Sequence, residues 1–410
     1  VGEWTTTSLA VGKKENIEVH KEIHFPHSLG LIYSAFTYYC GFKVNSGEYK
    51  LMGLAPYGNP KYIDEIKNNL INIKDDGSFQ LDMSYFDYCT NLKMTNSKFD
   101  KLFGGPPRIT ETDITQREMD VAASIQQVTE EIVMKLAKSV AQETGQKNLC
   151  LAGGVALNCV ANGALKKSKI FDEIWIQPAA GDAGGALGAA LVVYFLKLGN
   201  KSKKSLIGDK MQGSYLGPAY RSKEIKHELN ELGAIYSEYE EKEVINYTAE
   251  AITQGKAIGW MNGRMEFGPR ALGARSIIAD ARSSKMQKQL NLKVKYRESF
   301  RPFAPSVLAE HSSNWFNIEG TSPYMLIVSD VIDQKKLPVK TEDLELIGID
   351  KLNTSRSQVP AITHVDYSAR VQTVHKETNP RFHALISRFY ELTDCPVIIN
   401  TSFNIRGEPI

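Results

Sequence analysis

Two apolar runs, each followed by a glycine-rich stretch and a helix-like segment, constrain the fold of this chain more than any other feature. In the first, a short buried strand is predicted over residues 148–152, and residues 153–163, which begin with two glycines, then open a helix. In the second, a strand over residues 174–177 precedes the glycine-rich residues 178–188, which run into a helix over residues 189–198. Successive strand–loop–helix units are typical of α/β proteins that bind ligands at their strand ends. The chain is therefore predicted to have an α/β (α+β) fold.

The remaining elements predict two domains. Apolar residues recur at steps of three and four between Val121 and Val140, which indicates a core-facing helix that begins at Asp120 and ends at Gly145. A basic, polar break at residues 199–213 follows the second glycine-rich unit. Because 410 residues suit two domains of ordinary size, we expect domains over residues 1–200 and 213–410. The second is expected to contain helices over residues 222–232 and 241–254 and strands over residues 256–261 and 396–400.

Composition excludes several classes of protein. The apolar and charged fractions, 42% and 23%, are those of a globular protein and exclude a disordered or fibrous chain. The net charge of +2 gives no global sign of a nucleic-acid or membrane partner, and the longest apolar stretch is too short to cross a bilayer. Five scattered cysteines without a CxxC pair predict free thiols in a reducing, cytoplasmic compartment. Both termini are expected to continue into a longer polypeptide.

Glycine and acidic residues mark candidate ligand positions in the first half. Glycine-rich loops between a strand and a helix can present backbone N–H groups to an anion, although they also permit close packing of helix on sheet. Asp182, flanked by glycines, is either an N-cap residue or a metal-binding or catalytic carboxylate. Gly53, Pro56 and Gly58 predict an irregular loop near Lys50, either an ordinary connection or part of a pocket.

The second half carries a strongly cationic segment. Between Lys256 and Arg301, eleven basic residues and three acidic ones give a net charge of +8, so the rest of the chain carries −6. Glycine or proline restrains the backbone beside several of these cations, which favours a small, multiply charged phosphate ligand. A solvated basic surface and a nucleic-acid surface are the alternatives, and the segment lacks the interleaved aromatic residues of the latter.

Polar residues follow the last predicted strand, at residues 400–404. Their amide and hydroxyl groups could recognise a purine edge or a small amide. A polar turn held by local side-chain hydrogen bonds explains the same residues equally well.

Seven motifs, in order and spread over nearly the whole chain, resemble the O-carbamoyltransferases of the nodulation-protein-U and cephem-carbamoylating type. The motifs are residues 50–58, LAGGVALN at 151–158, GDAGGALG at 181–188, GRMEFGPRALG at 263–273, FRPFAP at 300–305, ARVQT at 369–373 and NTSFN at 400–404. The resemblance implies part of an actin/Hsp70-like ATPase-type domain, related to tRNA threonylcarbamoyl-transfer proteins, followed by a YrdC-like domain.

The resemblance also implies a two-step reaction. The YrdC-like domain is expected to form carbamoyl-adenylate from carbamoyl phosphate and ATP. The ATPase-like domain, which in this family holds an iron ion, is expected to pass the carbamoyl group to a hydroxyl of a sugar, an aminoglycoside or another natural product. The alternative is a phosphate- or RNA-binding protein with a decayed active site. A homo-oligomer remains open, and neither a nucleic-acid nor a membrane partner is expected.

Site residues carried over from the family fall into three groups. Arg270, Lys295 and Arg301 are expected to be catalytic. Asp182 matches the family's downstream metal ligand for Fe(2+), whereas the resemblance implies that the family's pair of metal-binding histidines belongs to a segment that precedes Val1. The expected nucleotide- and donor-binding residues are Arg370, Asn400, Ser402, Asn404, Gly153, Gly154 and Asn158.

Overall fold

The computed structural model describes residues 4–201, 209–405, 408 and 410. The chain divides into two compact units, one of residues 1–204 with 340–354 and one of residues 205–339 with 355–410. Part of the predicted polar break, residues 202–208, lies outside the described residues.

The first unit begins with an antiparallel hairpin and a buried helix. Strands β1 (Thr5–Lys13) and β2 (Asn16–His24) pair along their whole length, and helix α1 (Leu29–Tyr39) follows. The hydroxyl of Ser28 caps α1 by accepting a hydrogen bond from the backbone N–H of Leu31, so the helix begins where an orphan donor finds a partner.

A run of short elements links α1 to the longest helix. They are α2 (Glu48–Leu54), α3 (Ile63–Glu65, continued as a π-helical turn Ile66–Leu70), β3 (Ile71–Ile73), β4 (Phe79–Leu81) and α4 (Ser97–Leu102). The predicted loop around Gly53 is therefore wrong in part, because Gly53 lies inside α2. Gly58 does mark a close approach, since a Cβ atom there would lie 2.0 Å from the carbonyl oxygen of Met119.

Helix α5 (Gln116–Thr144) forms the centre of the first unit. It begins four residues before the predicted Asp120, because Thr115 and Glu118 form a capping box that satisfies donors at its first turn. Its end was predicted correctly, since Gly145 adopts the left-handed conformation with a φ of 63°.

The two glycine-rich units form a parallel pair of strands, as predicted. Strands β5 (Asn148–Leu151) and β6 (Glu173–Ile176) are followed by helices α6 (Cys159–Ser168) and α7 (Ala183–Val192). Residues 153–163 open a helix as predicted, since α6 begins at Cys159 after a 3-10 turn over Gly154–Leu157. The predicted start of the second helix was wrong, because α7 begins six residues before Ala189. The glycines at 184, 185 and 188 consequently lie inside α7 rather than in a loop.

A mixed sheet of six strands organises the second unit. Its spatial order is β10-β11-β9-β12-β8-β7, with β11 and β9 parallel and the other neighbours antiparallel. The strands are β7 (Ile258–Met261), β8 (Arg275–Asp280), β9 (Ala304–Leu308), β10 (Ile327–Asp330), β11 (Ser368–Val374) and β12 (Val397–Ser402). The helices are α8 (Ser222–Glu231), α9 (Glu241–Thr253), α10 (Met286–Gln289, continued as a π-helical turn Leu290–Val294) and α12 (Pro380–Thr393). The short α11 (Thr341–Leu344) belongs to the first unit.

The apolar core of the second unit joins α9 and α12 to this sheet. Phe382 and Phe389 of α12 and Ile252 of α9 are fully buried with the central strands β9 and β12. Strand register places Gln372 of β11 opposite Ser306 of β9, and Ile398 of β12 opposite the same serine. Because side chains alternate along a strand, Gln372, Ser306 and Asn400 lie on one face of the sheet.

The α+β class is thus confirmed, and the assignment of the units to ATPase-like and YrdC-like folds stays a prediction. All five cysteines are free, as predicted. Within the described part of the chain, we find no helix with the length and apolarity needed to span a bilayer.

Candidate functional site

The predicted catalytic lysine, Lys295, is a buried cation in the second unit. It follows the π-helical turn after α10 and is only 4% exposed. Its Nζ atom donates hydrogen bonds to the main-chain oxygens of Ser402 and Asn404 and to the side-chain oxygens of the same two residues. The structure therefore brings together three of the predicted site residues.

Lys295 faces neutral oxygen atoms and other cations. Among the described residues it forms no ion pair with a carboxylate. Burial, followed by the positive charges of Arg297 and Arg301, lowers the pKa of Lys295 to about 7. A buried ammonium group without a counter-ion is costly, and such a group with a strongly shifted pKa is a candidate for binding an anionic ligand.

The neighbouring arginines are held by aromatic and amide groups. The guanidinium of Arg297 lies 4.6 Å from the ring centroid of Phe303, and its Nε atom donates to Asn291 Oδ1 at 2.7 Å. The Nη1 atom of Arg301 is 3.8 Å from a carboxylate oxygen of Glu298, while the Arg301 carbonyl accepts from Asn291 Nδ2 at 3.0 Å. Asn291, fully buried, thus organises both arginines, a role that the sequence did not indicate.

Asn400 belongs to a buried polar network on the sheet face. Its Nδ2 atom donates to Gln372 Oε1 at 2.9 Å, to Ser306 Oγ at 3.0 Å and to the carbonyl of Ala271 at 3.1 Å. Its Oδ1 atom is buried and has no hydrogen-bond partner among the described residues. Asn400 therefore supports the loop that carries Arg270 and leaves one acceptor for an N–H donor of a ligand.

Arg370 lies on the same face of the sheet. It is two residues before Gln372 on β11, so both side chains leave the strand on one side. Its Nε atom is buried without a hydrogen-bond partner in the described part of the chain. Arg370 thus lies on β11, and Asn400 and Ser402 lie on β12. Arg270 and Asn404 lie in loops outside these strands.

Asn158 of the first unit is a structural cap. Its Oδ1 atom accepts from the backbone N–H of Ala161 and thereby caps α6, and its Nδ2 atom donates to Gln126 Oε1 at 3.0 Å. Both the oxygen and the nitrogen of the amide thus make hydrogen bonds within the first unit, which gives Asn158 a structural role. Its nucleotide-binding role stays a prediction.

The glycines of the first unit differ in what they require. Gly153 has a φ of 92°, a conformation that favours glycine, and donates its N–H to the carbonyl of Ala180. Gly154 is exposed, and an added Cβ would meet no atom there. Gly153 precedes a 3-10 turn whose first residue is Gly154, so neither glycine lies at the N-terminus of an α-helix, where the helix dipole would favour an anion.

Asp182 occupies the N-cap position of α7, but its side chain makes no capping hydrogen bond. It is exposed and forms no ion pair in the described residues. Nor do the described residues contain a group of three His, Cys, Asp or Glu side chains that could hold a metal ion. Asp182 alone supplies one ligand, so the residues described here do not complete an iron site.

Several side chains of the site escaped prediction. Three of them are neutral, namely Gln372, Ser306 and Tyr215. The first two are brought together by strand register. The hydroxyl of Tyr215 donates to the carbonyl of Leu272. Glu266 carried a weak signal, because it is one of only three acids in the cationic segment.

Comparison with known proteins places both halves of the chain in one family. Residues 1–191 match the family model described as "Carbamoyltransferase N-terminus", and residues 249–410 match "Carbamoyltransferase C-terminus". An uncharacterized protein of Synechocystis sp. is 60% identical over 412 residues, which is all of this chain and 67% of that protein.

Two rhizobial proteins are also similar. Nodulation protein NolO of Bradyrhizobium diazoefficiens is 37% identical over 414 residues, covering all of this chain and 69% of NolO. Nodulation protein U of Rhizobium fredii is 32% identical over 263 residues, covering 64% of this chain and 39% of that protein. The similarity predicted from the seven motifs is thereby confirmed.

Proposed function

Because this chain belongs to the carbamoyltransferase family and is an enzyme of carbamoyl transfer, we propose that its second unit forms carbamoyl-adenylate from carbamoyl phosphate and ATP. Water first cleaves carbamoyl phosphate to carbamate and phosphate. A carbamate oxygen then attacks the α-phosphorus of ATP, and pyrophosphate leaves. The carbamoyl group finally passes to a hydroxyl of the acceptor, which releases AMP.

The observation that carries this proposal is the buried cation Lys295 without a carboxylate partner. Two arginines lie close enough to lower its pKa, so three positive charges converge, and Glu298 lies 3.8 Å from one of them, Arg301. Such a concentration of charge is costly unless an anionic ligand neutralises it. Carbamoyl phosphate and a triphosphate bring several negative charges, and a preorganised cation cluster also stabilises the charge that develops on departing pyrophosphate.

Polar groups around the cations suit the neutral part of the donor. The orphan Oδ1 atom of Asn400 can accept from an amino group such as that of a carbamoyl unit or of adenine. The buried Nε–H of Arg370, on the same face of the sheet, can donate to a phosphate or carbamoyl oxygen. An unsatisfied buried acceptor and donor both gain a hydrogen bond when the ligand binds.

The first unit is the proposed place of transfer to the hydroxyl acceptor, which is a sugar or another hydroxylated natural product. Asp182 would supply one ligand to an iron ion there, with the other ligands coming from outside the described residues. When bound, iron would act as a Lewis acid that polarises the carbamoyl carbonyl.

The test is the formation of carbamoyl-adenylate and pyrophosphate from ATP in the presence of carbamoyl phosphate. Arg270→Ala and Arg301→Ala should each reduce this rate by about 100- to 1,000-fold, as is typical when one stabilising donor is removed. Lys293→Ala is the matched control, because Lys293 is an exposed cation of the same segment. Wild-type rates in both arginine variants would refute the proposal.

A further inference from the structure

Glu266 is a buried carboxylate that accepts hydrogen bonds from backbone N–H groups of the second unit. It lies between β7 and β8, four residues before Arg270, and is 8% exposed. Its Oε1 atom accepts backbone N–H hydrogen bonds from Leu272 at 2.7 Å, from Ala274 at 2.9 Å and from Arg275 at 3.3 Å. One carboxylate oxygen thus gathers three donors of the segment that follows Arg270.

This segment, the Ala271–Ala274 loop, forms neither helix nor strand. Its N–H and C=O groups are buried and therefore need side-chain partners. The carbonyl of Leu272 accepts from the hydroxyl of Tyr215 at 2.7 Å and from Gln372 Nε2 at 2.9 Å. The carbonyl of Gly273 accepts from Trp260 Nε1 at 3.0 Å.

Side chains therefore bind both the carbonyl and the N–H groups of the loop. Its carbonyl oxygens accept hydrogen bonds from Asn400, Gln372 and Tyr215. Glu266 accepts from two N–H groups of the loop and from the N–H of Arg275, the residue after it. Hydrogen bonds to a charged acceptor are stronger than those between neutral groups. Glu266 is the charged acceptor for these N–H groups, whereas the neutral hydroxyl of Ser276 accepts from the N–H of Gly273 at 3.0 Å.

We propose that Glu266 is a positioning residue, which holds the Ala271–Ala274 loop so that Arg270 is directed at the anionic substrate. This inference rests on the proposed function for the role of Arg270, and on the described contacts alone for the hold on the loop. A displacement of about 1 Å in a charged group can lower a rate by about 100-fold. We therefore expect loss of the Glu266 charge to affect substrate binding and rate more than overall stability.

The primary variant is Glu266→Gln, which preserves size and one acceptor oxygen but removes the charge. Asp280→Asn is the matched control, because Asp280 is 5% exposed in the same unit and pairs with Arg282 rather than with the loop. The first measurement is amide hydrogen exchange. We expect exchange at Leu272 and Ala274 to accelerate at least tenfold in Glu266→Gln and to stay unchanged in Asp280→Asn.

The second measurement is equilibrium binding of ATP, followed by kcat and KM for the release of pyrophosphate. Glu266→Gln should weaken ATP binding about tenfold and lower kcat/KM by about 10- to 100-fold. Glu266→Asp should recover part of this loss, because it restores the charge with a shorter side chain. A purely structural role would instead leave ATP affinity and KM at wild-type values in the folded variant.

The outcomes separate this inference from the proposed function. Unchanged amide exchange and unchanged ATP affinity in Glu266→Gln would overturn the positioning role. If the wild-type protein releases no pyrophosphate but the variant loses loop protection and ATP affinity, the positioning role stands and the proposed reaction is wrong.

Discussion

The Nζ atom of Lys295 lies 2.7 Å from the main-chain carbonyl oxygen of Ser402. The cation therefore ties the turn after β12 to the segment that follows α10. A ligand that recruits Lys295 must share this nitrogen with the turn, so the arrangement of residues 402–404 and the charge of Lys295 are linked.

The low pKa of Lys295 predicts that donor binding weakens as the pH rises through about 7. Only the protonated amine attracts a phosphate group, and the folded protein releases this proton well below the usual lysine range. The KM for carbamoyl phosphate should therefore increase between pH 6 and 8, at about neutral pH. Lys295→Arg should remove this dependence, since arginine stays charged, whereas Lys293→Arg should retain it.

The low pKa of Lys295 also predicts that the free energy of unfolding changes with pH. Between about pH 7 and about pH 10.4 the unfolded chain holds a proton that folded Lys295 has lost, so the free energy of unfolding should rise with pH in this window. Lys295→Met should abolish that part of the rise. Chemical denaturation of both proteins across the window measures it, and identical slopes would contradict the prediction.

Asp182→Ala should remove bound iron from the protein at its natural length without loss of fold. Because the side chain makes no capping hydrogen bond, we expect a change in the free energy of unfolding below about 1 kcal/mol. Metal analysis and denaturation of the variant, with Asp172→Ala as control, provide the test. Full metal retention would show that Asp182 is not a ligand.

Gly58→Ala should destabilise the first unit by about 1–3 kcal/mol. The added methyl group would lie 2.0 Å from the carbonyl oxygen of Met119, so α5 or the turn must shift. Gly12→Ala is the control, because no atom lies within 4 Å of a Cβ built there. Equal unfolding midpoints for the two variants would contradict this prediction, because they would show that the turn at Gly58 accommodates the methyl group without loss of stability.

Asn158→Ala should cost about 1–3 kcal/mol of stability, because it removes the cap of α6 and the buried hydrogen bonds between Asn158 and Gln126. ATP affinity should stay within twofold of wild type. Thermal unfolding and equilibrium binding separate the two effects. A stable variant with strongly reduced ATP affinity would support the predicted nucleotide-binding role.

Cysteine reactivity should divide the thiols into two groups. Cys89 and Cys150 are exposed and should react quickly with a disulfide reagent, whereas Cys40, Cys159 and Cys395 are buried and should react only on unfolding. Burial also raises the pKa of Cys395 to about 12, which suppresses the reactive thiolate. The measurement is the number of thiols that react with a chromogenic disulfide reagent before and after denaturation. Three or more thiols that react quickly in the folded protein would contradict the prediction.

Local signals in the sequence were sufficient for several elements and for the cationic cluster. The stripe from Val121 to Val140 predicted α5, and Gly145 predicted its end, because both reflect the helical period and a left-handed cap. The start of α5 was missed since the capping box of Thr115 lies before the apolar stripe. The glycines of α7 were read as a loop because glycine is a poor helix former, although it is tolerated in a helix.

The sequence by itself determined which chemistry is available, because the type and spacing of residues such as Arg270, Lys295 and Arg301 are encoded locally. Tertiary structure alone decided what each group does. Asn158 and Asn400 are both asparagines in family motifs, but their surroundings differ. Asn158 caps α6, whereas Asn400 donates hydrogen bonds within a buried polar network. Glu266 acquired its three N–H partners only when the loop folded back on it. Hydrogen-bond partners and desolvation depend on residues distant in the chain, and no local pattern records them.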